Sequence, residues 1–195
     1  MECYRKAAEQ GNVDAQYNLG CIYFNGDGPY DQEKSAEWFM KVAEQGDVDA
    51  QYILGCMYYD GYGVKKYYKK AIEWFIKAAE QGDVDAQYNL GAMYYRGSEV
   101  EQDYKKAIEW FTKCAEQGDA SAQYNLGFMY EFGLGVEANK EKAEKLYKKS
   151  RKRKVPREFI MVKGNGTKSN SSAENKIIER LLCFVRRNRY PEKFY

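Results

Sequence analysis

Apolar and small residues recur with a helical period, not a strand period, through the first 150 positions. After Asn12, the residues Gln16, Leu19, Gly20 and Tyr23 fall at i, i+3, i+4 and i+7, the spacing of a helix face packed on a neighbour. Tyr17, Cys21 and Phe24 form an adjacent stripe. It returns as Tyr52, Cys56 and Tyr59, as Tyr88, Ala92 and Tyr95, and as Tyr124, Phe128 and Glu131. We predict a helix of one kind, A, from each of Asn12, Asp47, Asp83 and Asp119 to near Phe24, Tyr59, Tyr95 and Glu131. Each opening Asn or Asp can accept from unpaired first-turn amides, and the glycine before it suits the left-handed end of a preceding helix. A second kind, B, starts near residues 33, 69, 105 and 141, where Ala71-x3-Phe75 and Ala107-x3-Phe111 set a small and a large residue one turn apart.

The pattern is periodic. AEQG ends at Gly11, Gly46, Gly82 and Gly118, Leu-Gly recurs at Gly20, Gly55, Gly91 and Gly127, and Trp38, Trp74 and Trp110 keep the same register, with Leu146 at the fourth place. One period near 36 residues holds an A helix and a B helix. Trp74 and Trp110 are expected to be buried between A and B helices of successive repeats. Met1 falls inside a B helix whose A partner is missing, which reads as a truncated start or an unpaired capping helix.

Leu90-Gly91-x2-Tyr94 with Ala107-x3-Phe111 resembles the tetratricopeptide signature. The longer period, the missing terminal proline and the connections Gly61-x-Gly63-Val64 and Gly133-x-Gly135-Val136 depart from it. Residues 2–149 are more similar to the Sel1-like repeat family. The first connection is a residue shorter, at Gly26-Asp-Gly28-Pro29, the third carries Glu99 in place of a glycine, and Lys154 stands where a fifth AEQG glycine belongs.

The resemblance implies an all-α, right-handed α-solenoid of helix-turn-helix repeats whose helix-A face lines a concave groove. It makes Tyr17, Phe24, Tyr52, Tyr59, Tyr88, Tyr95, Tyr124 and Phe128 a candidate platform for a peptide or protein partner, with Asp60, Arg96 and Phe132 at the helix ends. Tyrosine suits recognition because it offers large rigid area and a hydroxyl at small entropic cost. The alternative is that these rings stack between successive A helices as core. The basic clamp that some tetratricopeptide domains use for carboxylates is not seen at the matching positions.

Composition narrows the chemistry. The chain has no histidine, which removes Ser-His-Asp and Cys-His catalysis and HExxH zinc chemistry. Five cysteines at positions 3, 21, 56, 114 and 183 form no CxxC pair, so no metal site and no disulfide framework is indicated. Cys21 and Cys56 share a register with Ala92 and Phe128, which reads as packing. The paired glycines lack a GxGxxG or Walker pattern and read as inter-helix turns. Glu44, Glu80 and Glu116 recur as helix-end residues, not as a singular acid pair. Some secreted Sel1-like proteins are described as penicillin-binding or β-lactamase-like, but their paired cysteines and a Ser-x-x-Lys motif are missing here. No catalytic residue and no cofactor is therefore expected.

Charge divides the chain. Residues 150–195 carry 13 Lys and Arg against 4 Asp and Glu, net +9, whereas residues 1–149 hold 18 and 25, net −7. We expect a repeat domain over 1–150, a basic flexible linker over 151–172, and an amphipathic helix and tail over 173–195, with Ile177, Ile178, Leu181, Leu182 and Val185 on one side. The basic run from Arg151 to Lys154 is a candidate for nuclear targeting or nucleic-acid binding, and the helix for capping the solenoid, for a partner or for an anionic surface. Opposite charge is expected to fold the tail back on the repeats. With no apolar run near the roughly 20 residues of a membrane span and no signal peptide, a cytoplasmic location is expected. The composite expectation is a non-catalytic interaction scaffold or adaptor.

Overall fold

The computed structural model describes residues 2–25, 31–97 and 100–151. Its helices are α1 (Glu2–Glu9), α2 (Val13–Asn25), α3 (Gln32–Glu44), α4 (Val48–Asp60), α5 (Tyr68–Glu80), α6 (Val84–Arg96), α7 (Tyr104–Glu116), α8 (Ala120–Phe132) and α9 (Lys140–Arg151). Odd-numbered helices are of the B kind and even-numbered ones of the A kind, within a residue or so of the predicted ends. The described residues form two bodies, one up to Trp74 and one from Phe75 on. The expected linker, C-terminal helix, fold-back of the tail and the basic run beyond Arg151 lie outside the described residues, as do the first connection and Glu99.

Helix starts follow from side-chain caps. Oδ1 of Asn12, Asp47, Asp83 and Asp119 accepts from the amide three residues on, at 2.7 to 2.8 Å, satisfying a donor the helix cannot. Asp31, Asp103 and Asn139 cap α3, α7 and α9 in the same way. Tyr67 occupies that register before α5, and 48% of its surface is exposed.

The connections explain the paired glycines. Gly61, Gly97 and Gly133 end α4, α6 and α8 in the left-handed region. The second glycine does more: a Cβ on Gly63 would lie 1.8 Å from the Gln32 carbonyl oxygen, and one on Gly135 2.5 Å from the Tyr104 Cβ. Each therefore lets its connection lie directly against the start of the B helix of the preceding repeat.

In the first body the core is built from Leu19, Phe39, Ile53, Leu54 and Met57; in the second, from Phe75, Leu90, Phe111 and Met129, with Ala92, Ala107, Cys114, Ala122 and Leu126 around them. Phe39 lies over Gly20 and Phe111 over Gly91, so close that a Cβ on either glycine would meet the ring at 3.0 and 2.7 Å. The Leu-Gly of the first and third repeats is thus a seat for the B-helix aromatic, and in the fourth a Cβ on Gly127 would meet the Tyr147 ring at 2.9 Å.

The structure corrects the tryptophan assignment. Trp38, Trp74 and Trp110 are only half-buried, and the neighbouring Phe39, Phe75 and Phe111 are the buried rings. The two aromatics are consecutive, about 100° apart on the helix, and only one can point at the glycine. The outer faces of Trp38 and Trp110 instead carry Lys41 and Lys113, whose Nζ sit 4.1 and 4.3 Å from the ring centroids.

A buried glutamine joins each A helix to the B helix before it. Nε2 of Gln16, Gln51, Gln87 and Gln123 donates to the carbonyls of Ala8, Ala43, Ala79 and Ala115 at 3.0 to 3.1 Å. Each of those carbonyls also accepts from the amide of the glycine that follows its helix, at 3.0 to 3.1 Å, so the glutamine is a second donor to the last turn.

Candidate protein-interaction surface

The second stripe of the A helices differs between the two bodies. In the first, Tyr17 and Tyr52 are 3% and 0% exposed, and Tyr17 meets Phe39 edge-on at 5.3 Å. Both lie in the core, and the Tyr17 ring packs against the B-helix phenylalanine of its own repeat. Phe24 is also buried, edge-on to Tyr62 at 6.2 Å. Tyr59 is half-buried, paired with Tyr68 at 5.3 Å, and the ammonium of Lys66 lies over both rings. Asp60, also half-buried, is the last residue of α4.

In the second body the equivalent side chains keep more surface. Tyr88, Tyr95, Tyr124 and Phe128 are half-buried, Arg96 is exposed, and Phe132 is 59% exposed. Each ring is braced. Tyr88 packs on Phe111 at 5.7 Å, Tyr95 on Tyr104 at 5.5 Å, Tyr124 on Tyr147 at 5.1 Å, and Phe128 on Phe132 at 4.6 Å. The Tyr88 hydroxyl accepts from Nδ2 of the buried Asn125 at 3.2 Å, tying α6 to α8. Burial pushes the Tyr88 phenol up to about 12, so it stays neutral far above physiological pH, and burial also raises Tyr95.

The fourth repeat breaks the pattern. Where Phe24, Tyr59 and Tyr95 stand in the others it has Glu131, and in place of the B-helix phenylalanine it has Tyr147, whose hydroxyl donates to Glu131 Oε2 at 2.7 Å. Burial, with the Glu131 carboxylate second, raises the Tyr147 phenol. Phe128 replaces the Cys or Ala of the other copies. Sequence reading singled out Phe128 and Phe132 but not the Glu131–Tyr147 bond. The available signal was the change of two register positions in one repeat, an aromatic to Glu131 and a phenylalanine to Tyr147.

A further periodic feature went unread. Lys34, Lys70, Lys106 and Lys142 place their ammonium groups 4.0 to 5.6 Å from the ring centroids of Tyr23, Tyr58, Tyr94 and Tyr130. Lysines at a strict register beside a tyrosine register were the legible clue. Cys21, Cys56 and Cys114 are buried thiols, and burial pushes the Cys21 thiol up, away from reactivity. No described helix is long and apolar enough to cross a membrane.

The Sel1 repeat family profile matches residues 1–12, 13–47, 48–83, 84–119 and 120–154. Among solved structures, a protective antigen of uropathogenic Escherichia coli displaying an SLR fold is 43% identical with a TM-score of 0.73, over 78% of this chain and 33% of that one. A Sel1 repeat protein from Oxalobacter formigenes is 36% identical with a TM-score of 0.66, over 76% of this chain and 60% of that one. Helicobacter pylori cysteine rich protein B shares the fold at 21% identity and a TM-score of 0.50, over 64% and 92% of the two chains. This chain thus spans about a third of the length of the E. coli antigen. No curated protein sequence matches. A helix pair per period, the Leu-Gly seat and a profile match over most of the chain lead to one assignment: the protein belongs to the Sel1 repeat family and is an all-α repeat solenoid.

Proposed function

We propose that the chain is a non-catalytic scaffold or adaptor that holds a peptide or protein partner on the helix-A faces of its second body. Sel1 repeat proteins are generally protein-interaction scaffolds. The observation that carries the reading is the set of braced but partly exposed aromatics on α6 and α8. Their core places are taken by other residues, yet Tyr95, Phe128 and Phe132 keep apolar surface at fixed orientation. Rigid aromatic surface is what interface anchors are made of, because little rotamer freedom is lost on binding. The test uses a partner purified with the intact chain. Tyr95→Ala should weaken that partner about tenfold while shifting the unfolding midpoint little. Unchanged affinity with a large loss of stability would make the ring a core residue.

A further inference from the structure

The fourth repeat carries the most exposed large apolar side chain among the described residues, Phe132, stacked on Phe128 on the same face of α8. Between them in sequence stands Glu131, exposed, with its carboxylate fixed by the Tyr147 hydroxyl. No other described repeat places a carboxylate in this register. In them it is an aromatic ring, as Tyr59 on Tyr68 and Tyr95 on Tyr104. The phenol in α9 is equally singular, since its register elsewhere is Phe39, Phe75 and Phe111. Two coordinated departures thus build an oriented negative charge beside an open apolar ring pair, within a segment, 1–149, that is net −7.

We infer that the end of α8 is a docking point for a partner peptide bearing a bulky apolar side chain next to a lysine or arginine. The apolar side chain covers Phe132 and Phe128, and its cationic neighbour meets Glu131. Arg96, at the register of Phe132 one repeat earlier on α6, sets the direction: a cation on that side is repelled, so the basic residue lies toward Glu131. The carboxylate can serve a partner because holding it costs that partner nothing; the Tyr147 hydroxyl already does so. This inference rests on the helix-A reading and narrows it to one partner chemistry.

The experiment measures the intact chain on immobilised peptides of Ala-Ser-Gly background carrying one Leu, Phe or Trp followed by Arg, Gln or Glu. At low salt, binding should fall from Arg to Gln to Glu by roughly two- to fivefold per step, and this order should flatten near 0.5 M salt. Phe132→Ser should lower binding of all the apolar peptides about tenfold. Glu131→Lys should reverse the charge order. Glu131→Gln keeps an acceptor for Tyr147 and should flatten the order with the fold intact, so it decides the matter if the lysine variant unfolds. A charge order indifferent to both Glu131 variants, or no binding of any peptide, overturns the inference. If Tyr95→Ala abolishes peptide binding while Phe132→Ser does not, the inference fails and the helix-A reading stands. If neither variant weakens it, both fail.

Discussion

Phe111 and Trp110 are neighbours in sequence with opposite duties, and their energetics should separate. Phe111 is fully buried on Gly91, so Phe111→Ala should cost about 3–5 kcal/mol by denaturant unfolding. Trp110 is only half-buried, with a lysine over its ring, so Trp110→Ala should cost less than half as much. Gly91→Ala should cost roughly 1–3 kcal/mol, because the new methyl meets the ring. Periodicity made the aromatic pair legible but not which member faces inward. The clue was the glycine seat on the facing helix, a tertiary complement that a one-dimensional period does not contain. The same limit explains the site. Tyr52 and Tyr88 share a register, yet one is core and the other half-exposed, since exposure is set by neighbours far along the chain.

At the level of elements the caps carry the argument, and α5 is the exception that tests it. The Tyr67 carbonyl accepts from the Ala71 amide as the Asp31 and Asp103 carbonyls do from Ser35 and Ala107, so its backbone already sits as a cap. Tyr67→Asp should therefore raise stability by about 0.5–2 kcal/mol. Existing caps fix the pH dependence. The carboxyls of Asp31 and Asp103 are held below their ordinary 3.8, Asp31 mainly by the Lys34 side chain and Asp103 by the Lys106 amide. A lowered carboxyl in the fold stabilises above its unfolded value, and that stability is lost as pH falls below 3.8 through the folded value. The gain from Tyr67→Asp should disappear over the same acid range, which a series of unfolding curves from pH 7 to 2 would read. Tyr88 works in the opposite direction. Its phenol is raised, so the fold loses stability as pH climbs from 10 toward 12, and Tyr88→Phe should make that alkaline decline shallower. Helix starts were legible in the sequence because a cap is a local event spanning three residues.

For the molecule as a whole, the glutamines decide how the repeats hold together. Gln87→Leu would remove the bond its Nε2 donates to the Ala79 carbonyl, which keeps the Gly82 amide, and the one its Oε1 accepts from Gln117 Nε2, which keeps the Gly82 carbonyl. Each lost hydrogen bond costs about 0.5–1.5 kcal/mol, so the unfolding midpoint should drop accordingly. Gln16→Leu breaks the link to α1 and the bond Gln16 Oε1 accepts from Gln45 Nε2 at 2.7 Å, and in an array stabilised by nearest neighbours its effect should stay local. Hydrogen exchange should then quicken over Glu2–Glu9 while α7 and α8 keep their protection.

Those links also make the chain spliceable. Each one runs from an A-helix glutamine to the last turn of the B helix before it, and the cap that starts the A helix, Asp47, Asp83 or Asp119, stands directly after the glycine that ends that turn. A cut between Gly82 and Asp83 therefore separates an acceptor end from a donor end. A 36-residue cassette from Asp83 to Gly118 carries one of each. Inserting a second copy of it there would recreate the same bond on both sides, which makes this junction a natural grafting point for lengthening the protein by whole periods. Behind α9 no such cassette would take, because Lys154 replaces the glycine the next Asp would need to follow.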